Sequence, residues 1–325
     1  MFEYTSNVLA ILNQKGGVGK TTTVSVLAEY GALVWEMLDG CSTRNTRVLV
    51  VDLDMQCNTS DYFVGMEAAK GVRGGQLPPI HPDYDGSEDM SERSTIADIF
   101  LGKLVLPHTV ELAGKSGKVE LDVILGHPAL LEDINEKFDK ASGEIDLKVV
   151  NRLGELLHHP EVNNSYDLII LDTGPSRNPI FRSALRAATH VLVPWEPEEK
   201  SLQGVNAMAQ AISSENLNRK RGQPQCKVIG LLPNKVRSGV PLHMDNMELV
   251  RSSLPSLSMP EGVFLPQSVE FPKRDVKGAR PKSIFHLPPS KNPRQKAEDV
   301  CRYVYESIFE KHVPASNEDE MAVEA

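Results

Sequence analysis

The stretch Asn13-Gln-Lys-Gly-Gly-Val-Gly-Lys-Thr-Thr22 constrains the fold of this chain more than any other. It follows a short apolar run, Val8 to Leu12, and precedes a proline-free stretch, Thr21 to about Met37, whose only breaker is Gly31. The run reads as a strand buried on both faces, and the stretch after the loop as a helix. Gly16, Gly17 and Gly19 lack the side chains that would keep a ligand off the backbone. In a loop of this kind backbone N–H groups surround phosphate oxygens beside a helix N-terminus that favours anions. Lys20 then pairs with β- and γ-phosphates, and the Thr21 hydroxyl reaches Mg²⁺. The candidate phosphate contacts are therefore Gly16, Gly17, Val18, Gly19, Lys20, Thr21 and Thr22.

Further apolar runs recur at Arg47-Val-Leu-Val-Val-Asp52, Tyr166-Asp-Leu-Ile-Ile-Leu-Asp172, His190-Val-Leu-Val-Pro194 and Lys227-Val-Ile-Gly-Leu-Leu-Pro233, alternating with helix-compatible stretches. That alternation predicts an α/β fold, a doubly wound, mostly parallel sheet with helices on both faces. Ligands in such sheets bind at the carboxyl ends of the strands, which is where Asp52, Asp54, Asp172 and Asn234 fall. Asp39 to Asn45 reads as a polar connection. A single domain over 1–312 is expected, with an irregular, partly disordered surface loop at about 65–93 and an acidic, disordered tail at 313–325.

Composition excludes several classes. With 325 residues, 40% hydrophobic and 24% charged, the chain is not disordered throughout. No apolar run approaches the roughly 18–20 residues that cross a bilayer, and the five apolar residues from Val8 follow Glu3 rather than a basic segment, so neither a membrane span nor a secretory signal is expected. Cys41, Cys57, Cys226 and Cys301 are too far apart for a CxxC pair, so reduced, structural thiols and a cytoplasmic site are expected. The net charge is -9, but Val269 to Arg302 carries nine basic residues against four acidic ones. A local basic surface on an acidic protein follows.

The usual P-loop spacing has a glycine where Gln14 stands, and a second lysine, Lys15, stands directly before Gly16 and Gly17. This KGGVGKTT arrangement resembles the deviant Walker A box of the ParA/MinD family of ATPases, closest to its short, Soj-like partition members. The resemblance implies a P-loop NTPase of the deviant Walker type with ATP and Mg²⁺ as cofactors. It also implies an ATP-sandwich homodimer in which Lys15 reaches the other subunit's nucleotide. Val51-Asp-Leu-Asp-Met-Gln-Cys-Asn58 is similar to the family's next motif, which gives Asp54 the hydrolytic role of orienting or activating water. Asp52 either supports Mg²⁺ or loop geometry or caps the following helix. Asp172 resembles the Walker B aspartate and is, with Thr21, the Mg²⁺ candidate. Asn234 occupies the place where relatives recognise the adenine base. Met55, Cys57 and Gly174 depart from the family's usual residues, which bears on hydrolysis rate more than on binding.

Among relatives of this type, a partition ATPase is the expected function, for a plasmid or a chromosome. The ATP dimer would bind DNA nonspecifically, on the nucleoid, and be released when a ParB-like centromere-binding protein or an equivalent activator stimulates hydrolysis. Arg219, Lys220, Arg221, Lys235, Arg237, Lys273, Arg274, Lys277 and Arg280 are the candidate DNA-facing cations. With the first strand beginning at about Val8, a preceding operator-binding domain is not expected. The acidic tail does not suit an anionic membrane. The alternatives are a ParA-like positioning ATPase for a protein assembly and a MinD-like regulator that does not act on DNA.

Overall fold

The computed structural model describes residues 2–39, 42–114, 117–198, 201–219, 223–274 and 282–309. Its strands are β1 (Val8–Ile11), β2 (Glu36–Asp39), β3 (Ser42–Asn45), β4 (Val48–Leu53), β5 (Glu67–Ala68), β6 (Gln76–Leu77), β7 (His108–Gly114), β8 (Gly117–Ile124), β9 (Leu168–Thr173), β10 (His190–Trp195) and β11 (Lys227–Pro233). The first five helices are α1 (Lys20–Leu33), α2 (Asn58–Phe63), α3 (Ala97–Leu101), α4 (Pro128–Phe138) and α5 (Gly143–Leu157). Then come α6 (Pro160–Ser165), α7 (Pro179–Ala187), α8 (Ser201–Asn218), α9 (Pro241–Ser253) and α10 (Asn292–Phe309).

Seven strands form one sheet in the order β11-β10-β1-β9-β4-β8-β7. All neighbours run parallel except the edge pair β7 and β8. Every residue of β1, β4 and β9 is buried, because helices cover both faces. Alternate side chains of β1 serve the two cores: Val8, Ala10 and Leu12 join one with Leu131, Leu153 and Ala184, and Leu9 and Ile11 join the other with Leu27, Val300 and Val304. Helices α4, α5 and α7 thus pack on one face, and α1 and α10 on the other.

Helix α1 ends at Leu33, short of the expected Met37. Val34 and Trp35 both donate backbone N–H bonds to Tyr30, which turns the chain out of the helix, and the Trp35 ring is buried. The residues expected as the helix end and a polar connection instead pair as an antiparallel hairpin, Met37 opposite Arg44 and Glu36 opposite Asn45. Asn45 explains part of this, since its amide donates to the Ala32 carbonyl at 2.6 Å and satisfies an acceptor in the last turn of α1. The stretch 65–93 contains the β5–β6 hairpin and is held by contacts both within itself and to the rest of the chain. Buried His81 lies 3.2 Å from the Pro107 carbonyl, and Arg93 pairs with Glu67 at 2.8 Å. Among the described residues no helix is long and apolar enough to cross a membrane. The tail at 313–325 lies outside the described residues.

Candidate nucleotide site

Parallel pairing brings the site together. In register, Ile11 lies opposite Asp172, and Asp172 lies opposite Asp52, so the loop after β1 and the carboxylates ending β4 and β9 meet at one sheet edge. Asn13 fixes the loop's entry, donating to the Pro194 carbonyl at 2.7 Å and accepting from the Lys15 N–H at 2.8 Å. Gly17 and Gly19 adopt φ of 77° and 84°, which a side chain disfavours. At Gly19 there is also no room, since a Cβ would stand 2.4 Å from the Asn234 amide nitrogen.

Lys20 is buried at the start of α1, and its ammonium donates to the Asn13 carbonyl at 3.0 Å and the Lys15 carbonyl at 3.3 Å. Burial holds its pKa below the usual lysine range, opposed by Asp172 and Asp54. The hydroxyls of Thr21 and Thr59 both donate to one oxygen of Asp172, at 2.8 and 2.6 Å. The other oxygen, Oδ1, is buried without a hydrogen-bond partner. An orphaned carboxylate oxygen beside a threonine hydroxyl is the donor set a hard divalent cation takes, so these residues fit Mg²⁺.

Asp52 behaves differently from its neighbour in register. One oxygen accepts from the N–H and hydroxyl of Ser60, at 2.8 and 2.7 Å, and the other from the Asp54 N–H at 3.1 Å. Of the readings open for Asp52, the geometry supports a cap on the first turn of α2, since the carboxylate binds the N–H and hydroxyl of Ser60 there. Burial pushes both Asp52 and Asp172 above the usual carboxylate range, reinforced by the charge of Asp172 at Asp52 and of Asp54 at Asp172. Asp54 sits at the site's edge, 9% exposed, with one oxygen accepting from the Gln56 N–H at 3.0 Å. Gly174 in the loop after β9 packs close to it, since a Cβ there would lie 3.4 Å from the Asp54 carboxylate.

Asn234 lines the site but is heavily committed. Its amide donates to the Val18 carbonyl at 2.9 Å and its oxygen accepts from the Lys235 N–H at 2.8 Å, so it ties the end of β11 to the loop. Two lysines to which the sequence assigned roles, Lys235 and Lys15, are held by contacts within the chain. Lys235, in the left-handed region at φ 52°, donates to the Gly17 carbonyl and pairs with Glu196 at 2.8 Å, not the position of a free DNA-facing cation. Lys15 pairs within its own chain with Glu196 and Glu198, each at 3.6 Å. A cavity of about 430 Å³ runs from Gly19, Thr21 and Thr22 past Asn234 and Lys235 to Gln267, Phe271 and Arg274. A larger cleft of about 920 Å³ between α5, α7 and α8 does not touch the glycine loop.

Two of the expected DNA-facing cations are buried. The Arg219 guanidinium donates to the Ala188 carbonyl at 2.7 Å and stacks on the Tyr4 ring, with the side chain 1% exposed. Arg274 pairs with Glu29 at 2.5 Å. Neither is available to a phosphate backbone. Arg237 and Lys273 are exposed, and Lys220, Arg221, Lys277 and Arg280 lie outside the described residues.

A glycine cradle closed by Lys20 and Thr21 at the carboxyl edge of a parallel sheet defines a P-loop nucleotide-binding protein. A family model described as an AAA domain matches residues 6–221. The chain is 30% identical over 231 residues to the chromosome partitioning protein ParA of Caulobacter vibrioides, covering 69% of this chain and 68% of that protein. It is 27% identical over 272 residues to protein IncC of Escherichia coli, covering 82% of this chain but only 60% of IncC. An ATP complex of McdA from Cyanothece superposes with a TM-score of 0.66 over 94% of this chain and 97% of that one, at 15% identity, a likeness of fold alone. The chain belongs to the ParA/MinD family of P-loop ATPases.

Proposed function

We propose that this chain is an ATP-dependent partition ATPase whose ATP-bound homodimer coats DNA without sequence preference. The observation that carries the nucleotide half of this reading is the unpartnered, buried Oδ1 of Asp172 beside the Thr21 hydroxyl, directly under the glycine loop. Thr21 and Asp172 would hold Mg²⁺, which offsets charge on the phosphates. Lys20 leaves its carbonyl partners to pair with the β- and γ-phosphates, and the loop N–H groups take the remaining oxygens. Asp54, with one oxygen held by Gln56, orients the attacking water. Lys15 exchanges its own chain's Glu196 and Glu198 for the partner's nucleotide when the dimer closes. The kinship with a protein named for chromosome partitioning supports the cargo being a replicon. A ParB-like centromere-binding protein or equivalent would trigger hydrolysis and release from the nucleoid.

Arg237 and Lys273 remain from the described cations for DNA, together with Lys220, Arg221, Lys277 and Arg280. The burial of Arg219 and Arg274 weakens the DNA surface and is the observation that favours the second reading, a ParA-like ATPase that positions a protein assembly or regulates without DNA. Steady-state ATP hydrolysis with Mg²⁺ tests the chemistry common to both. Lys20→Ala is expected to lose nucleotide binding. Asp54→Ala is expected to keep binding while turnover falls by about 10²-fold or more. Turnover of Asp54→Ala at the wild-type rate contradicts the catalytic assignment.

A further inference from the structure

At the end of the cavity away from the glycine loop, three segments converge on one carboxylate. Ser25, Asn58 and Phe271 line the cavity. Glu29 and Tyr62 follow Ser25 and Asn58 by four residues in α1 and α2, so each shares a face with the lining residue above it. Arg274 closes the short 3₁₀ turn Pro272–Arg274 that begins just after Phe271. These three side chains meet. Glu29 accepts from the Tyr62 hydroxyl at 2.6 Å and from Arg274 at 2.5 Å, and the Arg274 guanidinium lies 5.2 Å from the centre of the Tyr62 ring. Ser283 donates to the other Glu29 oxygen at 2.6 Å. Glu29 is 1% exposed, Arg274 5% and Tyr62 9%. Tyr62 and Arg274 line the cavity, whereas Glu29 lies behind them.

We infer that Glu29 is a positioning residue for the nucleoside half of the bound nucleotide: it fixes Arg274 and Tyr62, and through them the wall at Phe271 and Pro272, without touching the ligand. This rests on the nucleotide reading above, since phosphates at Gly19 to Thr22 leave the sugar and base to extend toward Gln267 and Phe271. Gln267 is tied to Val236 by a backbone bond and Phe271 packs on the core, while beyond the short turn it is the Glu29 cluster that fixes the Arg274 end of the wall. A buried guanidinium without its carboxylate is a strongly unfavourable state, so losing Glu29 releases that end of the wall rather than loosening it slightly.

The test compares binding of ATP and of inorganic triphosphate to the full chain and to the double variant Glu29→Gln/Arg274→Met. The double variant removes both charges together, leaves an amide oxygen for Tyr62, and avoids an unpaired buried ion. Ordering two or three wall side chains accounts for about a tenfold change, so ATP affinity is expected to fall by about that factor while triphosphate affinity stays within about twofold. Arg274→Lys, which keeps a cation for Glu29, is expected to recover part of the ATP affinity. Equal losses for both ligands, or no loss for either, overturn the inference and leave the nucleotide reading intact. If the wild-type chain binds neither ligand, the nucleotide reading fails and the inference falls with it.

Discussion

Asp52 and Asp172 stand side by side in register and end similar apolar strands, yet neighbouring hydroxyls give them different work. Ser60 and the Asp54 N–H complete Asp52, while Thr59 and Thr21 satisfy only one oxygen of Asp172. The sequence identified the carboxylates but left the part of Asp52 open, because Thr59 and Ser60 differ from each other only in which way α2 turns them. Histidines carry a separate consequence at this scale. Burial, with the neighbouring His81 ring, holds His108 down to about 4, and Asp83 opposes this. The unfolded chain takes up that proton near its ordinary pKa of about 6.5. The folded protein therefore loses this contribution to stability as pH falls from about 6.5 toward 4. Thermal melts of wild type and His108→Phe should show the variant gaining on wild type across that window, and a constant difference contradicts the assignment. Arg219 and Arg274 show where charge counting stops. Glu215 is four residues from Arg219 and was within reach of a local pattern, whereas Glu29 is 245 residues from Arg274 and was not.

Among elements, the parallel strands were legible because burial on both faces writes them as unbroken apolar runs, and β1, β4, β9, β10 and β11 all fall where such runs stand. The β2–β3 hairpin was not, since Glu-Met-Leu-Asp and Ser-Thr-Arg-Asn lack alternation and are held by contacts to Ala32 and Asp167 from elsewhere in the chain. Gly31 reads in sequence only as a weak point in a helix. The fold gives it a purpose, because a Cβ there would stand 2.1 Å from the Tyr305 hydroxyl and 2.8 Å from a Val48 methyl. Tyr305 donates to the Leu27 carbonyl at 2.9 Å, so α10 packs against α1 at this point. Gly31→Ala is expected to destabilise the fold by about 1–3 kcal/mol through overpacking. Denaturant melts check this, and an unchanged midpoint means α10 is free to move away. ATP affinity measured under folding conditions should be little altered, since Gly31 faces away from the cavity residues Thr22 and Ser25.

For the whole molecule, strand order does what no single motif does. Placing β1 between β10 and β9, with β4 beyond, gathers residues 13–22, 52–54 and 172–174 at one edge, although they are far apart in the chain. The motifs were legible because their chemistry is local, and the doubly wound fold then followed from their order. The proposed DNA surface would belong to the ATP-bound dimer and to a minority of exposed cations on a chain of net charge -9, so it would depend on geometry that residue counting does not contain. On the function proposed above, ATP switches this chain into a DNA-binding dimer. The most direct test is binding to random-sequence DNA without nucleotide, with ADP and with ATP, for wild type and Asp54→Ala, over a salt series. Binding only with ATP, strengthened by Asp54→Ala and falling steeply with salt, is the predicted result. Dimerisation with ATP but no DNA binding in any state contradicts it.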